Sequence, residues 1–319
     1  MSEIVLGPTG LAERQSAAVR ARRIGQVARL LRGAVPTMIG LVIFLVITFP
    51  VLWLVDTSFK DDIAARAIPP QWLPARPTLE VYQAFFAGNA GAAVTRELQY
   101  WYLYVLNSLY TSTLPAILAT VIGTLAGYGF ARFPFPGATI LLTVLLLGQM
   151  FPGPSLYVPI YFLTTQLGMH DNLNALVLIY TAFHIPVATW LMSGFIRTIP
   201  FELEEAARID GASLLQTLVH IVLPLARIGI LTVALLGFMA FWGEYGFASI
   251  IIETQNKYTA TVGLVRQMGQ MGVAFNTIGA AATMMALPMM VFLMLMQKQF
   301  VRGGTAGARK DGRKEVEAR

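Results

Sequence analysis

The chain has 319 residues, of which 56% are hydrophobic and only 13% charged, with a formal net charge of +6 and no cysteine. A soluble domain carries about 25% charged residues and about 45–50% apolar ones, so this balance is that of a chain made for lipid. The missing cysteine excludes disulfides, thiolate metal sites and a cysteine nucleophile.

A polar, Arg-rich segment occupies 1–35, and six apolar stretches follow at about 36–55, 104–128, 139–163, 173–195, 226–247 and 276–297. Each is long enough to cross about 30 Å of hydrocarbon, which takes roughly 20 helical residues. The first, PTMIGLVIFLVITFPVLWLV, carries no charge and lies too far along the chain for the apolar core of a signal peptide, so it is expected to stay in the membrane. The loop after it is extended and turn-rich at Pro69, Pro70, Pro74 and Pro77. It then reads TLEVYQAFFAG, a short helix with Tyr82, Phe85 and Phe86. That helix suits either the membrane interface, where aromatics collect, or the docking of an external partner.

Span two contains Gly123, Gly127 and Ala131, a small-residue series that lets helices approach closely, here within one chain. Pro152, Pro154 and Pro159 in span three, Pro186 in span four and Pro288 in span six predict kinks. Kinks in lipid suit a bundle around a pathway, where neighbours or water satisfy the freed carbonyls. Polar residues inside the spans are few. Asn107 opens span two, His184 lies near the middle of span four, and Trp242, Glu244 and Tyr245 cluster at the outer end of span five. Such groups mark a candidate translocation path. The competing readings are a helix–helix hydrogen bond for His184 and an interfacial aromatic belt for Trp242 and Tyr245.

No span carries the paired carboxylates of a proton- or sodium-driven carrier, and no repeat of span pattern is visible. A Gly-x4-Gly-Lys-Ser/Thr phosphate loop, a His/Glu zinc pattern and a serine-nucleophile elbow are all missing from the sequence. Neither catalysis nor a bound cofactor is expected of this chain. Of the 23 basic residues, 17 fall in the termini and in the loops that alternate spans bring to the same side. The positive-inside bias then puts both termini in the cytoplasm. Charge is explained by topology, and nucleic acid is not an expected partner.

One cytoplasmic loop, about 196–225, breaks the apolar pattern with FELEEAARIDGAS. Pro200 suits a first helical turn, and Glu202, Glu204 and Glu205 sit where the helix dipole favours negative charge. Glu204 and Arg208 are four apart and are expected to pair. Gly211 ends the helix, and Ser213 with Gln216 forms a capping box for a second helix closed by Pro224. The hairpin presents Ala206 and Ala207 beside Glu205, a small-residue patch with a directional acceptor that fits a socket on another protein.

EAARIDGA, followed by IVLP at 221–224, resembles the EAA loop of ABC importer permeases, with Glu205, Ala206, Ala207, Asp210, Gly211 and Pro224 in register. The similarity runs along nearly the whole chain to sugar-importer permeases of the maltose-system second-subunit type. NSLYTS at 107–112, GYGFARFPFPG at 127–137, SGFIRTIPFELEEAA at 193–207 and QKQFVRGGTAGARK at 297–310 carry it. Leu218, Ile228, Gly243 and His170 depart from the usual pattern, and Gly243 weakens any inference about a particular sugar. The resemblance implies an all-α integral membrane protein of the six-helix type I ABC importer class, with a permease domain over 36–298 and a basic cytoplasmic tail at 299–319. It implies a bacterial cytoplasmic-membrane location and a carbohydrate as cargo. It also implies four kinds of partner: a second permease, a dimer of ATPase subunits holding ATP and Mg, an extracytoplasmic solute-binding protein, and membrane lipids. The alternatives are an ion-coupled carrier of a small polar solute and an enzyme acting on lipid-linked sugars, neither of which accounts for the hairpin.

Overall fold

The computed structural model describes residues 35–87, 100–268, 274–292 and 294, and every regular element among them is helical. The basic tail, its motif at 297–310 and all but Val35 of the N-terminal segment lie outside the described residues. Two compact units divide the chain, Met1–Asp56 and Thr57–Arg319. The first holds most of helix α1 (Val35–Ser58), whose run to Val55 has no charged residue.

The second unit contains α2 (Asp62–Ala65), α3 (Glu80–Ala87), α4 (Trp101–Arg132), α5 (Ala138–Leu147), α6 (Gly153–Gln166) and α7 (Leu173–Arg197). After these come α8 (Glu202–Ile209), α9 (Leu214–Trp242), α10 (Gly246–Ile251), α11 (Ala260–Met268) and α12 (Phe275–Phe292). Among the described residues, α1, α4, α7, α9 and α12 are each long and apolar enough to cross a membrane. The pair α5 and α6 supplies a sixth span if counted as one.

That sixth span corrects the expectation of a single kinked helix over 139–163: its two halves meet at 94°. A 3-10 turn at Gly148–Met150 leads into extended backbone at Phe151 and Pro152. Proline pushes the residue before it out of the helical region, while Pro154 suits the first turn of the new helix. Pro186, by contrast, is carried inside a continuous α7.

The centre of the unit is α4 laid against α7, with α9 crossing both. A Cβ at Gly127 would come to 2.8 Å from both the Met192 Cβ and the Ser193 nitrogen, and one at Gly123 would collide with Ala188. The glycine series therefore serves packing inside this chain. The aromatic face of α3 is neither of the two surfaces expected of it. Phe85 is fully buried against Trp101, and the Tyr82 hydroxyl donates to Ser58 Oγ at 2.7 Å. Only Phe86 remains open, 68% exposed. Burial of an aromatic face of this size outweighs an interfacial position.

Span five also differs from its hydropathy outline. Pro224 was expected to close a short helix before it, yet the helix runs unbroken from Leu214 to Trp242. One wider turn, Leu218–Val222, bonds i to i+5, with the Leu223 N–H on the Leu218 carbonyl, and carries the helix past the proline.

Candidate functional site

The hairpin between α7 and α9 is built by local signals. Three acids, Glu202, Glu204 and Glu205, fill the first turn of α8. Its end is closed by N–H groups of Asp210, Gly211 and Ala212 on the carbonyls of Ala206, Arg208 and Ala207 at 3.0, 3.1 and 2.9 Å. Gly211 has φ +87°, the left-handed conformation that a side chain resists. Ser213 and Gln216 make the reciprocal capping box, at 2.8 Å for the Ser213 N–H on Gln216 Oε1 and 3.3 Å for the Gln216 N–H on Ser213 Oγ.

The two faces of α8 have opposite characters. Glu202, Glu205, Ala206 and Ile209 recur at helical spacing and all lie exposed, Ile209 at 86%. Ala207 is half-buried, so the small patch expected at Ala206 and Ala207 is in fact Ala206 flanked by Ile209 and Glu205. Ile209 was missed because an isolated isoleucine in a charged run reads as the inward residue. Asp210 is exposed at the helix end, and Pro224 lies exposed at the start of the straight part of α9.

The opposite face carries Glu204, which is fully buried. Its carboxylate accepts from Arg132 Nε at 2.5 Å and from the Tyr128 hydroxyl at 2.9 Å, both on the last turns of α4. Arg132 also donates through Nη2 to the Ile199 carbonyl at 2.8 Å and lies over the Phe201 ring at 5.5 Å. The expected pair of Glu204 with Arg208 is not formed; Arg208 stacks on Phe201 instead, at 5.8 Å. A buried carboxylate needs a cation with good geometry, and Arg132 comes from a helix that offers one out of water. The hairpin is thus bolted to α4 on one side and open on the other.

At the other end of the spans, the residues expected along a path are mostly engaged with the protein. Asn107 Nδ2 donates to the carbonyls of Asn256 and Tyr258, each at 3.0 Å, and ties α4 to the loop before α11. His184 is buried in the α7–α9 seam, its Nε2 donating to the Val233 carbonyl at 3.1 Å. Trp242 is buried, stacked on Phe238, and donates to the Met285 carbonyl at 3.0 Å. Helix α9 stops at Trp242, so Glu244 sits in a turn. Its carboxylate accepts from the N–H groups of Phe247 and Ala248 at the start of α10, at 2.9 and 3.3 Å, and from the Tyr180 hydroxyl at 2.5 Å. Tyr245 alone of the five is exposed, at 41%.

A second carboxylate at this end, Asp171, was not singled out from the sequence. It has φ 53°, which Asp tolerates better than most residues. Its side chain accepts from the N–H groups of Glu253 and Thr254, both at 2.9 Å, from the Thr254 hydroxyl at 2.6 Å and from Lys257 Nζ at 2.7 Å. Burial alone would raise its carboxyl, but Lys257, the Thr254 hydroxyl and the two N–H groups outweigh it and hold the group well below the usual carboxylate range. The only sequence signal was the polar run HDNLN, which hydropathy reads as loop. Among the described residues, no group of three or more His, Asp or Glu is arranged to hold a metal ion.

Residues 119–303 match the family described as "Binding-protein-dependent transport system inner membrane component". The chain is 35% identical to the galactooligosaccharides transport system permease protein GanQ of Bacillus subtilis, over 83% of this chain and 91% of that one. It is 31% identical to the trehalose transport system permease protein SugB of Mycobacterium tuberculosis, over 82% of this chain and 92% of the relative. The fold matches the crystal structure of a bacterial ABC transporter involved in the import of the acidic polysaccharide alginate, with a TM-score of 0.68 and 19% identity, over 84% of this chain and 96% of that one. An all-helical bundle with a charged hairpin between its spans, matched along its length to transport permeases, belongs to the inner-membrane component family of binding-protein-dependent ABC transport systems.

Proposed function

We propose that this permease forms half of the pore of an importer and passes a carbohydrate, an oligosaccharide, disaccharide or polyol, into the cytoplasm. The cargo class is supported by the galactooligosaccharide, trehalose and alginate systems to which the chain is similar. A second permease supplies the other half of the pore, and an extracytoplasmic solute-binding protein delivers the sugar. A dimer of ATPase subunits holds ATP and Mg and drives the cycle from the cytoplasm, where both termini lie. The observation that carries this reading is the open face of α8, with Glu205 and Ala206 beside an 86%-exposed Ile209, on a helix whose other face is fixed by Glu204. An isoleucine left in water next to a carboxylate gains little by itself and gains much in a groove lined by apolar and basic groups. The coupling set is Glu205, Ala206, Ala207, Asp210 and Gly211 in the hairpin, with Pro224 where α9 straightens. Asn107, Trp242 and Glu244 at one end of the spans and His184 at mid-span frame the path, and Tyr245 offers its ring to passing sugar.

The test is uptake by the assembled transporter in proteoliposomes. Glu205→Lys puts repulsion where a basic group would pair, and Gly211→Val meets a left-handed backbone strain of about 1–2 kcal/mol. Both are expected to abolish uptake while the amount of assembled complex changes little. Normal uptake in both, at normal assembly, reduces the hairpin to a structural cap.

A further inference from the structure

A cavity of about 400 Å³ opens between α5 and the C-terminal turns of α7. Leu142 of α5 and Trp190, Leu191 and Phe195 of α7 make its apolar wall, and Arg197 and Thr198 stand at its cytoplasmic mouth. The surroundings are apolar and exposed: α5 buries no residue, Val144 is 56% exposed, and Trp190 itself is half exposed. Arg197 differs from the other cation nearby. Arg132 is consumed by Glu204, whereas Arg197 is exposed, donates to the Phe130 carbonyl at 3.3 Å, and has no carboxylate paired with it among the described residues. A guanidinium has five donors, so most of its capacity faces outward.

We propose that this groove seats an anionic phospholipid of the cytoplasmic leaflet, with its phosphate on Arg197 and one acyl chain along Trp190, Leu191 and Phe195. Charge and shape argue together for that occupant. A phosphate pairs with an arginine fork in a two-point contact, and basic pockets between spans on the cytoplasmic side take anionic headgroups. A free phosphate would leave the apolar wall wet, and a neutral lipid would leave the guanidinium without a full counter-charge. The inference rests on the cytoplasmic placement of the α7 C-terminus.

Trp190 is the probe. The full chain, in its assembled transporter, is placed in vesicles of mixed phosphatidylcholine and phosphatidylglycerol in which one lipid or the other is brominated. The total composition is constant. The Trp190 signal is the fluorescence lost on Trp190→Phe. Brominated phosphatidylglycerol is expected to quench it with about a five-fold preference over brominated phosphatidylcholine, the contribution of one basic residue at an anionic surface. Arg197→Lys should keep most of the preference and Arg197→Gln should remove it. Equal quenching by both lipids, unmoved by Arg197→Gln, overturns the proposal in favour of an ordinary lipid-facing surface. No quenching by either overturns it too, since a protein subunit then covers the groove. Uptake is measured in the same vesicles, so a lost lipid preference is distinguished from a failure of the transport reading.

Discussion

Helix α7 lies between two carboxylates that its own sequence does not reveal, and they are held in opposite ways. Asp171, before its first turn, shares four donors in a partly open loop; its side chain is 21% exposed and that of Lys257 43%. Glu204, just past its last turn, is closed off from water with an Arg132 side chain only 7% exposed. The Asp171 knot spreads its charge over backbone N–H groups and solvent, so no single partner is indispensable. The Glu204 knot concentrates it on one arginine, so the partners stand or fall together. The difference suits the two ends. A loop facing water can be re-solvated when it moves, whereas the hairpin must follow α4 without loosening.

The largest expected effect follows from breaking the Arg132–Glu204 pair. Arg132→Met leaves a buried carboxylate without a cation, at a cost of about 3–5 kcal/mol. The transition of the detergent-purified protein should fall sharply on heating. Adding Glu204→Leu to Arg132→Met should recover most of the loss, and failure to recover would mean that Arg132 acts through Phe201 or Ile199 instead.

A middle effect is expected at the Asp171 knot. Asp171→Asn removes a charged acceptor but keeps an amide, at about 1–2 kcal/mol, seen as roughly ten-fold faster hydrogen exchange at the Glu253 and Thr254 amides. Because the carboxyl is depressed below its ordinary value of 3.8, its stabilisation is complete above that value and is lost only as pH falls through the depressed one. The relative protection conferred by Asp171 should therefore be flat between about pH 5 and about pH 7. A decline in that window would mean that the knot is open in solution.

The smallest effect is expected at Glu244, which caps the short α10. Glu244→Ala should cost about 1 kcal/mol, the usual value of a lost cap. On the path reading proposed above, uptake per assembled transporter is expected to fall as well. Unchanged uptake per transporter would leave the residue a cap alone and sharpen the contrast with the hairpin.

Legibility in the sequence followed the range of the interaction. Gly211, the Ser213–Gln216 box and the acidic first turn of α8 act within a few residues, and the sequence states them outright. Each long span was visible for the same reason, as a continuous apolar run. What failed was long-range: Arg132 and Tyr128 reach Glu204 from 72 and 76 residues away, so the nearer Arg208 looked like the partner. Lys257 meets Asp171 across 86 residues. Hydropathy also averages over turns, which is why the outline at 226–247 ran past the true end of α9 at Trp242 and put Glu244 in a span. Proline was ambiguous for a further reason. Pro186 and Pro152 look alike in a string, but only Pro152 has a glycine on each side within a few residues, Gly148 and Gly153, to let the chain turn.

The wider turn at Leu218–Val222 makes the second arm of the hairpin and the long apolar helix that follows it a single rod. At about 1.5 Å per residue, 29 residues reach about 43 Å, from the capping box to Trp242. A rod of that length is a lever, and a tilt of about 5° at one end moves the other by about 4 Å. On the coupling reading proposed above, a push on α8 that tilts this rod is felt beside Glu244 and Tyr245.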